Sequence, residues 1–283
     1  MADVYYLIDS ESNKVYYTNE ELDNYTLWEY SGTDEDRPSN NKEVVISLYN
    51  DKFEFPSNCP RLFCGCTNTT FDTSKWDTSK AEYIHGLFKN CKNLETIDLN
   101  GKDFNKVTGP SDEYSSRRCL IEVFYKCTSL QYLDLSKSTF NSITNSNFDT
   151  SRMFYGCTSL KWVDISCFPK TLSSNGNFKP PMAESMFNGC YSLENIYVKP
   201  GTNWTSMNYG VGMFSGDVKL PNYASNYTSN LRAYIGGSGY FTSVNDRPVQ
   251  YSVYLKDSGS WNQIEESYLK ESDSWKHIDV YAL

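Results

Sequence analysis

"MFYGCTSLKWVDI", Met153 to Ile165, recurs along the chain as "LFKNCKNLETIDL" (Leu87 to Leu99), "VFYKCTSLQYLDL" (Val123 to Leu135) and "MFNGCYSLENIYV" (Met186 to Val198). Two worn copies flank these, "LFCGCTNTTF" from Leu62 and "MFSGDVKLPNY" from Met213, where Asp217 stands in the cysteine position. The shared phenylalanine falls at 63, 88, 124, 154, 187 and 214, a spacing of 25 to 36 residues. The frame is Φ-F-x-x-C-x-x-L-x-x-Φ-x-Φ, with Φ an apolar residue.

The final L-x-x-Φ-x-Φ predicts a short strand with alternate residues inward. The Φ-F doublet and the cysteine form the opposite wall, expected as a turn of helix. One such unit cannot bury its own apolar face, but stacked neighbours build a continuous core, as in a solenoid. The expected class is therefore an α/β repeat, rich in β.

Cys66, Cys91, Cys127, Cys157 and Cys190 share one repeat position, which predicts a buried ladder of small apolar side chains. Equivalent positions would offer chains of partners rather than disulfide pairs. The C-x2-C spacing of a zinc site is absent from "CGC" at Cys64 to Cys66 and from nearby Cys59. His85 and His277 are the two histidines, and neither has a nucleophile or a second histidine near it in sequence. "GGSG" at Gly236 to Gly239 lacks the lysine and the following helix pattern of a phosphate loop.

Alternation turns Leu94, Ile97 and Leu99 inward and leaves Thr96 and Asp98 outward. The same offsets give Tyr132 and Asp134, Trp162 and Asp164, then Asn195 and Tyr197 as a candidate ligand-binding face. Aromatic rings beside carboxylates suit sugar recognition, and they equally suit a protein partner. The structural alternative is that each aspartate satisfies backbone donors at its strand end while each ring covers its neighbour. Three carboxylates on adjacent strands would lie about 5 Å apart, a repulsion that calcium or shared protons could relieve. Glycosidase chemistry needs a carboxylate pair in a shaped pocket, which a shallow repeat face does not provide. No enzyme activity, resident metal or cofactor is expected.

Of the 283 residues 39% are hydrophobic, and tyrosine contributes 23, a profile of strands with much aromatic surface. The net charge of −9 argues against nucleic acid and an anionic membrane as partners. No apolar stretch approaches the 18 residues of a spanning helix, so no membrane insertion is expected. "MADVYYLIDSESNKVYY" passes from Met1 into alternation without a basic or apolar leader pattern, and nine cysteines are an odd count. Either the chain is not secreted or a leader was removed ahead of Met1, and the cysteine count reads as a chain made in a reducing cytosol.

Residues 1–58 carry two alternating runs, "VYYLID" and "KVYYT", joined by "SESN" as a hairpin, then the polar "SGTDEDRPSNNKE" and the strand-like "VVISLYN" and "KFEFP". They are expected to form a small β module that caps a repeat domain spanning 59–224. In residues 225–283, the Gly-rich "YIGGSGYF" (Tyr234 to Phe241) lies ahead of a short tandem and is read as a hinge. Within them "YLKDSGSWNQI" (from Tyr254) and "YLKESDSWKHI" (from Tyr268) agree at seven of eleven positions, each reading as strand, turn, strand.

The frame, with "FDTS" at Phe71 to Ser74 and Phe148 to Ser151, resembles the BspA-like leucine-rich repeat family of bacterial surface proteins over roughly residues 60–224. Irregular spacing and polar insertions such as "SKSTFNSITNSN" depart from that pattern. The resemblance implies a parallel-stranded leucine-rich-repeat solenoid used for adhesion or recognition. The C-terminal tandem resembles the repeated "KD-G-SW" segments of bacteriophage tail and tail-tip proteins over about 30 residues. Such proteins are assembled in the host cytoplasm and need no leader. Together the two resemblances imply a virion component, in the tail or fibre, whose partners are a host cell-surface glycan or protein and other virion proteins. A bacterial cell-surface adhesin that has lost its leader is the alternative, a glycan-cleaving enzyme a remoter one, and homo-oligomerisation stays open.

Overall fold

The structure, a computed structural model, describes residues 3–30, 33–108, 119–144, 147–173, 181–207, 210–217, 219–221, 223 and 229–247, and strand segments within 254–279. It divides into Met1–Asn245 and Asp246–Leu283. The chain is β-rich: among the described residues the only helices are two short 3-10 turns, Ser229–Arg232 and Val244–Asp246.

The N-terminal hairpin forms as expected. β1 (Tyr5–Asp9) and β2 (Lys14–Thr18) pair antiparallel with Leu7 opposite Tyr16, and Asp9 Oδ1 closes the turn by accepting the N–H groups of Glu11 and Ser12. β3 (Thr26–Leu27) adds to β1, and β4 (Glu43–Ile46), from "VVISLYN", adds to β2 in parallel. The inward residues Val15, Tyr17 and Val44 belong to the same core as the repeats. β5 (Phe53–Glu54) pairs in parallel with β6 (Trp76–Asp77).

Three repeats contribute their L-x-x-Φ-x-Φ segments to one parallel sheet, as β7 (Tyr132–Asp134), β8 (Trp162–Asp164) and β9 (Asn195–Val198). Leu133, Val163 and Ile196 lie in register and point into the core. Leu94, Ile97 and Leu99 are buried as alternation predicts, although their segment has no strand pairing of its own. The sheet runs past residue 224, since β10 (Phe241–Ser243) pairs with β9. The Gly-rich stretch is thus not a hinge but a tight turn delivering this last strand. A side chain at Gly239 would place its Cβ 2.1 Å from the Tyr234 carbonyl oxygen.

The opposite wall departs from expectation, because the Φ-F-x-x-C segments are not helical. Their N–H groups alternate in direction. Those of Leu87, Lys89 and Cys91 close local turns to residues three back, whereas those of Gly86, Phe88 and Asn90 donate to Ile121, Val123 and Tyr125 of the next repeat. The same three-bond junction joins each successive pair of repeats, from Arg61, Phe63 and Gly65 through to Ser185, Phe187 and Gly189. An α-helix would take these donors for itself. The alternation demands left-handed backbone two residues either side of each phenylalanine, at Glu122 (φ 57°) and Lys126 (φ 57°), for example. Glycine relieves that strain at Gly216, whose φ is 89° and whose Cβ would press on the Tyr191 ring at 3.1 Å.

Between the walls runs a phenylalanine column. Phe88 stacks on Phe124 at 5.3 Å, Phe124 on Phe154 at 5.7 Å and Phe154 on Phe187 at 5.3 Å, with ring planes within 11° of parallel. The column ends edge-on, against Tyr17 at Phe63 and against Tyr240 and Phe241 at Phe214. Polar groups complete the ends: Ser39 Oγ donates to the Cys64 carbonyl at 2.8 Å, and Tyr223 Oη accepts the Gly216 N–H at 2.8 Å. The insertion after β7, polar in composition, still buries Phe140 and Ile143.

In the second unit, β11 (Tyr254–Asp257) pairs with β12 (Ser260–Gln263), and β13 (Glu266–Glu271) with β14 (Ser274–Asp279). Both pairs are antiparallel, so each copy of the tandem supplies two paired strands, while the expected turns at 258–259 and 272–273 lie outside the described residues. The side chain of His277 lies outside the described residues.

Candidate functional site

Sheet pairing brings Tyr132, Trp162 and Asn195 to successive rungs of one face, with Asp134, Asp164 and Tyr197 on the rungs beside them. The rings of Tyr132 and Trp162 lie 5.4 Å apart, tilted by 39°, and both stay half-exposed. Lys161 frames the pair: its Nζ donates to Tyr132 Oη at 3.0 Å and sits 5.3 Å from the ring centre. Thr242 Oγ1 donates to Asn195 Oδ1 at 3.3 Å. Thr96 and Asp98 are exposed, on the unpaired segment before β7.

Two of the residues expected to face outward are buried. Tyr197 is only 5% exposed, because the edge of Trp162 covers it and β10, unforeseen, pairs alongside. Asp164 is 1% exposed and accepts the Ser166 N–H at 2.9 Å. Asp134 and Asp98 do the same for Ser136 at 2.8 Å and Asn100 at 2.9 Å. Asp72, Asp77, Asp103 and Asp149 repeat the device. The aspartate row therefore closes turns at strand ends, a local backbone role that these short side chains fill well. Among the described residues no three His, Cys, Asp or Glu side chains are arranged to hold a metal ion.

All five ladder cysteines are buried, as expected, yet they are more than apolar plugs. The Sγ–H groups of Cys91, Cys127, Cys157 and Cys190 each donate to the phenylalanine carbonyl of the preceding repeat, at 3.0 to 3.1 Å. Burial pushes the Cys157 thiol up to about 12, so it stays protonated at neutral pH. A nucleophile needs the reverse. Asp217, in the last copy, is also buried; its Oδ1 accepts the Cys190 N–H at 3.0 Å, and burial holds its carboxyl well above the usual range.

The turn wall carries a charged network that the linear sequence did not announce. Lys89 Nζ bridges Asp34 at 2.9 Å and Glu122 at 2.8 Å, and Arg61 Nε lies 3.1 Å from Asp34. His85 and Arg152 approach Glu122 at 3.9 and 3.6 Å. Burial pushes the Glu122 carboxyl up, but Lys89, His85 and Arg152 together hold it below its ordinary value. His85 and Ser151 stand three residues before their phenylalanines, and Arg61, Glu122 and Arg152 two before theirs. Those two columns of the repeat alignment were the available signal.

Comparison with protein-family models, curated proteins and solved structures finds no match.

Proposed function

We propose that this chain is a non-enzymatic recognition protein: an irregular leucine-rich-repeat solenoid whose strand face binds a host cell-surface glycan or protein. The observation that carries the reading is the half-exposed Tyr132–Trp162 pair on adjacent parallel strands, framed by Lys161 and Asn195. Tyrosine and tryptophan present large rigid area at little entropic cost, and such rings dominate both sugar stacking and protein hot spots. The acids beside them close turns and the thiols hold repeats together, which supports a recognition role for this face. The proposed setting is a bacteriophage tail or fibre, with the C-terminal hairpins joining other virion proteins. That part rests on the "KD-G-SW" resemblance. Mass spectrometry of purified virions should detect the chain; its consistent absence would exclude the setting and leave the adhesin reading in its place.

A further inference from the structure

We propose that the open edge of β4 is a docking site for a partner protein, taking one extended peptide segment, apolar and basic in alternation, by strand addition. The site lies in the N-terminal cap, so it does not rest on the reading of the Tyr132–Trp162 face.

β4 ends its sheet, with β2 on one side only. Glu43 N–H donates to the Asn13 carbonyl at 3.2 Å and Ser47 N–H to the Tyr17 carbonyl at 2.8 Å. Alternation therefore turns the backbone groups of Glu43, Val45 and Ser47 toward β2, and those of Val44, Ile46 and Leu48 the other way. On that other side the strand wall begins to continue, since Thr67 N–H donates to the Lys42 carbonyl at 2.9 Å. The Asn68 side chain then takes the place of a strand: its Oδ1 accepts the Val44 N–H at 2.8 Å and its Nδ2 donates to the Val44 carbonyl at 2.9 Å. Past this rung the ladder stops. The Thr69 carbonyl serves Glu95 of the next repeat, and neither Ile46 nor Leu48 has a backbone partner on this edge among the described residues.

The opening is a groove of about 210 Å³ between β4 and Phe71, below the usual volume of a small-molecule site. A chain paired with Ile46 and Leu48 would run along it for about 7 Å. Unpaired N–H and C=O groups on a strand edge are a template for another backbone, which selects an extended peptide. Leu48 is 46% exposed, and Ile46 and Phe71 are half-buried against the core, a floor for apolar side chains at every second position. Charge sets the positions between them. On the rim Lys75 is neutralised by Asp51 at 2.6 Å, whereas the exposed Asp72 has no ion-pair partner among the described residues, and the chain carries a net charge of −9. Basic residues complement that rim.

The test is anisotropy titration of the full chain with the dye-labelled peptide KVTVK, blocked at both ends, together with hydrogen exchange. Saturable binding is expected, with exchange in residues 46–48 slowed at least tenfold. The same peptide N-methylated at its three inner residues keeps the side chains but loses the donors, and should not bind. EVTVE should bind at least tenfold more weakly. Leu48→Pro removes an edge N–H without touching the β2 ladder and should abolish binding, while Leu48→Ala keeps that N–H and should weaken it less than fivefold. Should Leu48→Pro not fold, the N-methylated peptide on the parent protein decides alone. The proposal is overturned if KVTVK does not bind, if its N-methylated form binds as tightly, or if folded Leu48→Pro binds like the parent. A parent that sediments as a dimer and becomes monomeric in Leu48→Pro would give the edge to a second copy of the chain, which also overturns it.

Discussion

The Cys157 thiol donates to the Phe124 carbonyl of the preceding repeat at 3.1 Å, and that carbonyl also accepts the Cys127 N–H at 3.1 Å. The ladder cysteine is thus a buried donor that links repeats. Cys157→Ala removes the donor and opens a small cavity, which should cost about 1–2 kcal/mol. Cys157→Ser keeps a donor on a shorter arm and should cost less. Urea denaturation of both variants checks the order; equal stability of all three proteins would mean that the bond contributes nothing. Thiol labelling of the native protein should reach Cys167, the partly exposed cysteine, before any of the other eight, all of which are buried.

Asp217 replaces the ladder cysteine in the last repeat, and burial raises its folded-state carboxyl well above the ordinary value. The unfolded chain ionises this group near pH 4, while the folded chain keeps it protonated. The folded state therefore binds more protons above that pH, and stability falls as pH rises. Asp217→Cys should remove this slope, raising stability at pH 7 by about 1–3 kcal/mol with little effect at pH 4. Thermal melts across pH 4 to 8 are the measurement. A variant less stable than the parent at pH 7 would show that the carboxyl is accommodated as an ion.

Glu122 holds Lys89, and Lys89 in turn holds Asp34 of the N-terminal segment. Glu122→Gln leaves a half-buried ammonium with one partner fewer and should cost about 1–3 kcal/mol, discounted for the partial exposure of the network. In the parent, the Glu122 carboxyl lies below its unfolded value, so its contribution is present at neutral pH and lost as pH falls through the folded value. Melts of the variant should therefore converge with those of the parent in acid. A constant difference at every pH would assign the loss to packing instead.

The four full repeats made the strands legible, because Leu133, Val163 and Ile196 recur at one offset and alternation fixes their direction. The turn wall was misread as helical although its evidence lay inside the quoted motif. Gly65, Gly156, Gly189 and Gly216 stand two residues after the phenylalanine, where a left-handed backbone rather than a helix is required. Alternation also says which way a side chain starts, not what later covers it. Tyr197 starts outward and is closed over by Trp162 and β10; Asp164 starts outward and curls onto the Ser166 N–H. The Lys89–Glu122–Asp34 network joins three segments distant in sequence, a juxtaposition that only the stacking register creates.

Recognition through the Tyr132–Trp162 face is tested most directly by the binding of fluorescently labelled protein to host cell envelopes. Trp162→Ala and Tyr132→Ala should each weaken binding at least fivefold, as removal of a central ring does at other interfaces, while melting within a few degrees of the parent. Binding by both folded variants at the parent's affinity would contradict the account and move the contact away from the strand face.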